Sequence, residues 1–79
     1  MRVRVRHFAA LRTAAGVDQE TFEVDDGDLA ALYRSLQQRH GWSFTESAVR
    51  VAVNDALVPW GHALKDGDEV VFLPPFSGG

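Results

Sequence analysis

A two-layer α+β fold, one long helix laid against a mixed sheet, is the architecture that this 79-residue chain predicts. Three observations carry that reading. Apolar residues alternate with period two at 2–8 and again at 49–53, and a continuous apolar run fills 70–73, which together mark strands. Only one stretch, 29–40, repeats its apolar residues at full helical spacing. The last strand is apolar on both faces, so one helix cannot cover everything the sheet presents.

Residues 2–8 alternate Arg2, Val3, Arg4, Val5 and Arg6, a strand with both valines toward the core and the arginines in a solvated outer stripe. The next stretch, 8–15, is alanine-rich and runs to Gly16, a residue suited to a left-handed helix end, which predicts one or two helical turns. A second strand is expected at 19–24, with Thr21 and Glu23 on its polar side and Phe22 and Val24 on its apolar side. Asp25-Asp26-Gly27-Asp28 is a turn cluster, and Asp28 is placed to cap the helix that follows. That helix, 29–40, aligns Leu29, Leu32 and Leu36 with Tyr33 beside them, opposite Arg34, Gln37, Gln38 and Arg39, and stops at Gly41. Trp42 and Phe44 are expected to fold back over its end as packing.

Val49, Val51 and Val53 predict a third strand, closed by the turn dipeptide Asn54-Asp55. Leu57-Val58 is a short strand ended by Pro59, and 60–62 is a loop. Leu64-Lys65-Asp66-Gly67-Asp68 is a tight turn, with Gly67 available for positive φ, feeding the final strand at 69–73. There Val70 and Phe72 serve one face while Val71 and Leu73 serve the other. Phe8, Leu57, Leu73 and Phe76 are the candidates for an uncovered apolar patch. With the first and last long strands paired in parallel at the sheet centre, the order is a β-grasp. It has a mixed four- to five-stranded sheet, one main helix and a short helix, in a single domain spanning 1–79.

Composition excludes several function classes. At 46% hydrophobic residues the chain is too apolar for a disordered tail, and a domain of this length buries about 60% of the surface its extended chain exposes. Cysteine is absent, which removes disulfides, thiolate zinc sites and any sulfur relay through a thiol. The first six residues lack the apolar core of a signal peptide, and no run approaches the ~20 apolar residues of a membrane span. Cytoplasm is the expected location, without membrane contact. A net charge of -3 argues against a nucleic-acid binder. His7, His40 and His62 lack ligand spacing of the His-x-His kind and are read as structural or surface groups, so no metal is expected. Asp66, Asp68 and Glu69 are read as a turn cluster that satisfies backbone amides.

Chemistry is left to the C-terminus. Pro74 and Pro75 cannot donate to a sheet ladder, so pairing should stop at Leu73 and 74–79 should leave as an extended, flexible tail. Gly78 and Gly79 carry no Cβ and can follow almost any path through a narrow slot, which makes the Gly79 carboxylate the best-presented group in the chain. Without a thiol, sulfur chemistry can fall only to that carboxyl.

Val53-Asn54, Leu57-Val58, the Asp66-Gly67-Asp68-Glu69-Val70 turn and the Pro74-Pro75-Phe76-Ser77-Gly78-Gly79 end together resemble one family. It is the MoaD-type sulfur carriers, small subunits of molybdopterin synthase in the ubiquitin-like β-grasp superfamily. Phe8-Ala9 followed by Leu11-Arg12 resembles that family's first strand–helix junction. The chain departs from the pattern at Gly27, where proline is common, and at Leu73, where an aromatic is frequent. The resemblance implies a carrier that is not an enzyme on its own. A ubiquitin-activating-type (E1-like) adenylyltransferase would use ATP and Mg²⁺ to adenylate Gly79, and sulfur would convert that group to a thiocarboxylate. The large subunit, in a heterotetramer with the carrier, would pass the sulfur to a pterin precursor. By the same resemblance Gly79 and Gly78 are the catalytic positions, Phe8, Arg12, Leu57 and Leu73 dock partners, Phe76 and Ser77 line the tunnel entry, and no cofactor is bound intrinsically. Three alternatives stay open: a carrier serving a thiazole or a transfer-RNA base, a modifier joined to lysines, of which this chain has only Lys65, and a binding module with an inert tail.

Overall fold

The computed structural model describes residues 1–75. Its elements run β1 (Arg2–Arg6), α1 (Ala9–Ala15), β2 (Gln19–Glu23), α2 (Leu29–His40), β3 (Arg50–Val53), β4 (Ala56–Val58) and β5 (Glu69–Leu73), with a 3-10 turn at Glu46–Ala48. The five strands form one sheet in the order β2-β1-β5-β3-β4. β1 and β5 pair in parallel at its centre, Val5 opposite Val70, and all other neighbours are antiparallel. This is the β-grasp arrangement expected from the order of the elements, with the first and last long strands side by side.

Burial explains why these segments take these forms. Val3, Val5, Val51, Val53, Val70 and Phe72 all lie on one face, buried in a single core with Leu29, Leu32, Tyr33 and Leu36 of α2. Tyr33 is fully buried and its hydroxyl donates to the Phe44 carbonyl at 2.6 Å, which satisfies the one polar atom that an all-apolar pocket would strand. Trp42 is buried and Phe44 half-buried beside the helix end, as packing residues. The 60–62 segment, expected only as loop, adds Trp60 to the core: its ring stacks on Phe72 at 5.8 Å and its Nε1 donates to the Val49 carbonyl at 3.1 Å.

Local signals set the ends. The Asp28 carboxylate accepts the Ala30 and Ala31 amides at 3.0 and 3.2 Å, and Gly41 closes α2 with φ 69°. Asn54 and Asp55 adopt φ 50° and 71°, the paired positive values of the tight turn whose twist suits an antiparallel hairpin. The first strand stops at Arg6 rather than running to 8: the His7 amide donates to the Asp18 carbonyl and Phe8 is the extended N-cap residue of α1. Strand β2 stops one residue short of Val24, and β3 starts one residue after Val49, which caps the 3-10 turn. At Gly27 a Cβ would lie 2.6 Å from the backbone N and O of Leu64, whose amide donates to the Gly27 carbonyl at 3.0 Å. Glycine is therefore a requirement of this close crossing. No helix among the described residues is long and apolar enough to cross a membrane.

Candidate functional site on the outer sheet face

The strand register assembles a surface on the side of the sheet away from α2. Arg6 pairs with Val71, Val71 with Ala52 and Ala52 with Leu57, a single row crossing four strands. Leu73 lies one step further along β5, opposite Arg50. Phe8, at the β1–α1 junction, closes the row from the side. Phe8, Leu57 and Leu73 line one open cleft of about 410 Å³ together with Arg6, His7, Ala52, Asp55 and Val71. Leu57 is 61% exposed and Phe8 56% exposed, the two largest exposures among the big apolar side chains of the described residues. Two such residues facing water on one cleft mark a docking surface more readily than scattered exposure does.

The structure divides the residues expected to dock partners. Phe8, Leu57 and Leu73 come together, whereas Arg12 stands on α1 beside a neighbouring cleft of about 490 Å³, its guanidinium 2.9 Å from Asp18. Pairing ends at Leu73 as the two prolines require, and Pro74 and Pro75 follow outside any strand. Phe76, Ser77, Gly78 and Gly79 lie outside the described residues.

The arginine stripe is not simply solvated. Glu69 accepts from Arg4 Nη2 at 2.6 Å and Nε at 3.1 Å, and from Arg6 Nη1 at 3.4 Å, across the parallel β1–β5 pair. The Arg4 hydrogen bond, ahead of the opposing effect of burial, holds the Glu69 carboxyl below the usual carboxylate range. Asp66 and Asp68 do behave as a turn cluster. Asp66 accepts the Arg2 amide at 2.7 Å, and Asp68 accepts the Lys65 amide at 2.8 Å and Asn54 Nδ2 at 2.9 Å. Glu69 leaves that cluster because its side chain projects from the outer face of β5.

A second constellation has no counterpart in the sequence reading. His7 and His40, read as isolated, meet on Glu20 where the end of β1, the body of β2 and the end of α2 converge. His7 Nε2 and His40 Nε2 lie 2.8 and 2.5 Å from Glu20 Oε1, and Arg39 Nε lies 3.1 Å from Oε2. Burial alone would push the Glu20 carboxyl up, yet hydrogen bonds from both imidazoles and the neighbouring positive charge outweigh it and leave it lowered. A signal was available. Period two carried back from Phe22 puts Glu20 on the apolar side of β2, where a carboxylate must find partners.

The parallel centre, the single long helix and the uncovered outer face together define a ubiquitin-like β-grasp domain. The ThiS family model matches residues 5–79, and the chain belongs to that family. It is 38% identical to the molybdopterin synthase sulfur carrier subunit of Chlamydomonas reinhardtii, with 100% of both chains covered. It is 35% identical to the subunit of the same name from Escherichia coli, covering 98% of this chain and 99% of that one. Among solved structures, the complex of subunits 1 and 2 of the molybdopterin-converting factor from Helicobacter pylori contains a chain that is 31% identical. It matches with a TM-score of 0.70 over 100% of both chains.

Proposed function

We propose that this chain is the sulfur-carrier small subunit of a cytoplasmic molybdopterin synthase, and that its Gly79 carboxylate is the group that carries sulfur. The observation that supports it most is the uncovered cleft of Phe8, Leu57 and Leu73, which reaches the last residue of β5, just before the tail in sequence. A partner seated there would receive the tail. The likeness to the Helicobacter pylori protein, whose structure is a complex of two subunits, supports a large subunit as that partner, in a heterotetramer.

The chemistry follows from the tail. A carboxylate is a poor electrophile, so an E1-like adenylyltransferase using ATP and Mg²⁺ joins Gly79 to AMP and releases pyrophosphate. A sulfur donor then displaces AMP, leaving a thiocarboxylate. That sulfur attacks a carbon of the pterin precursor in the large subunit and displaces its oxygen substituent, and water cleaves the resulting acyl–sulfur bond to return the carboxylate and leave the sulfur on the pterin. Gly78 and Gly79 give the reacting carbonyl clear approach from either partner, while Phe76 and Ser77 line the entry to the tunnel. Nothing in this scheme asks the carrier for a catalytic base or a bound cofactor.

Reconstitution with a large subunit, an activating enzyme, ATP, a sulfur source and the pterin precursor tests the reading. Sulfur transfer is expected with the native chain and abolished by one residue added after Gly79, with the circular dichroism of the domain unchanged. Full transfer by the extended chain would refute it.

A further inference from the structure

We propose that His7, Glu20 and His40 form a binding site for a divalent first-row transition ion, with zinc the best match, that clips β1, β2 and α2 together. Their ligating atoms all lie within 4.8 Å of one another. The side chains are 1%, 13% and 10% exposed, so they converge in a recess and not on an open acidic surface. Two imidazoles and one carboxylate are a recognised zinc donor set with a fourth position left for water, whereas magnesium and calcium favour oxygen alone.

The geometry is close to what an ion needs. Donors at about 2.0–2.1 Å around a tetrahedral centre stand about 3.3 Å apart. His7 Nε2 and His40 Nε2 already stand 2.8 and 2.5 Å from the shared Glu20 Oε1, so the site must open by less than about 1 Å to admit the metal. Trp42 packs against both imidazoles, with ring centroids at 5.4 and 5.5 Å, and holds their orientation. His40 is the last residue of α2, where the helix dipole favours a cation.

Two features temper the affinity. Arg39 occupies Glu20 Oε2 from an exposed position, leaving Oε1 as a single ligand beside a fixed positive charge. His7 Nδ1 is buried without a protein partner, so the outer shell of that ligand is incomplete. Both imidazoles already hydrogen-bond to Glu20, so the proposed site does not require the metal for folding. The ion then adds stability by mass action.

The full chain, stripped with chelator, would be titrated with Zn²⁺ by calorimetry. One ion per chain is expected, with a thermal midpoint that rises with Zn²⁺ but not Mg²⁺ and falls again on adding chelator. Co²⁺ should give the visible absorption of a tetrahedral centre. His40→Ala and the size-conserving Glu20→Gln should each weaken binding about tenfold or more, Arg39→Ala should tighten it, and His62→Ala should leave it unchanged. No saturable binding by the native chain would overturn the proposal. So would full binding by folded His40→Ala and Glu20→Gln, or loss of binding in His62→Ala.

Discussion

On the face toward α2, β1, β3 and β5 present Val3, Val5, Val51, Val53, Val70 and Phe72, all buried. On the opposite face the same strands present Arg4, Arg6, Glu69, Val71 and Ala52, partly or wholly open to water, with Leu57 of β4 beside them. The inner face is closed by the chain's own helix, so its free energy is already spent on folding. The outer face is divided. Around β1 it is covered by charge pairs, whereas from Val71 through Ala52 to Leu57 it is apolar and faces nothing in the described residues. A sheet whose second face carries ion pairs on one side and open apolar residues on the other has apolar area left over for a partner to bury.

That contrast can be broken from the inside first. Phe72→Ala removes a fully buried ring that touches Tyr33 and Trp60, and should cost about 3–5 kcal/mol in denaturant unfolding. For a domain this small that is a large share of the whole stability. Gly27→Ala should cost about 1–3 kcal/mol in the same experiment, since its Cβ meets the Leu64 backbone and not a movable side chain.

The outer face should respond more weakly. Glu69 has a lowered carboxyl pKa in the fold, so its contribution is present above the unfolded value of 4.5 and is lost as pH falls through the lower folded value. Glu69→Gln should therefore flatten the acid limb of the stability–pH curve below about pH 4.5 while changing neutral stability by about 0–1 kcal/mol. Leu57→Ala should separate folding from binding. Its effect on unfolding should stay within about 0.5 kcal/mol, yet it should weaken association with a large subunit by about tenfold or more in a binding titration. Equal losses of folding and binding would erase the distinction between the two faces.

The inner face could be read from the sequence because burial leaves a period. Val3 and Val5, Leu29, Leu32 and Leu36, and Val51 and Val53 announce their elements by spacing alone, and Asp28, Gly41 and the Asn54-Asp55 turn announce the ends. What could not be read depends on partners distant in sequence. Glu69 sits in an acidic run that looks like a turn, and only the parallel β1–β5 register reveals that it faces Arg4 and Arg6. Glu20 is 13 residues from His7 and 20 from His40, separations that no local motif encodes. Trp60 looked like loop because its stretch has no alternation, although its indole reaches Phe72. Of the candidate site, Phe8, Leu57 and Leu73 followed from a strand apolar on both faces, while the placement of Arg12 beside a different cleft depended on how α1 leaves the sheet.

The measurement that most directly tests the carrier role is the intact mass of the chain after incubation with ATP, Mg²⁺, a sulfur source and a matched activating enzyme. The expected result is a gain equal to exchanging one oxygen for sulfur, absent when Gly79 is deleted. An unchanged mass with an activating enzyme shown to be active on its own carrier would contradict it.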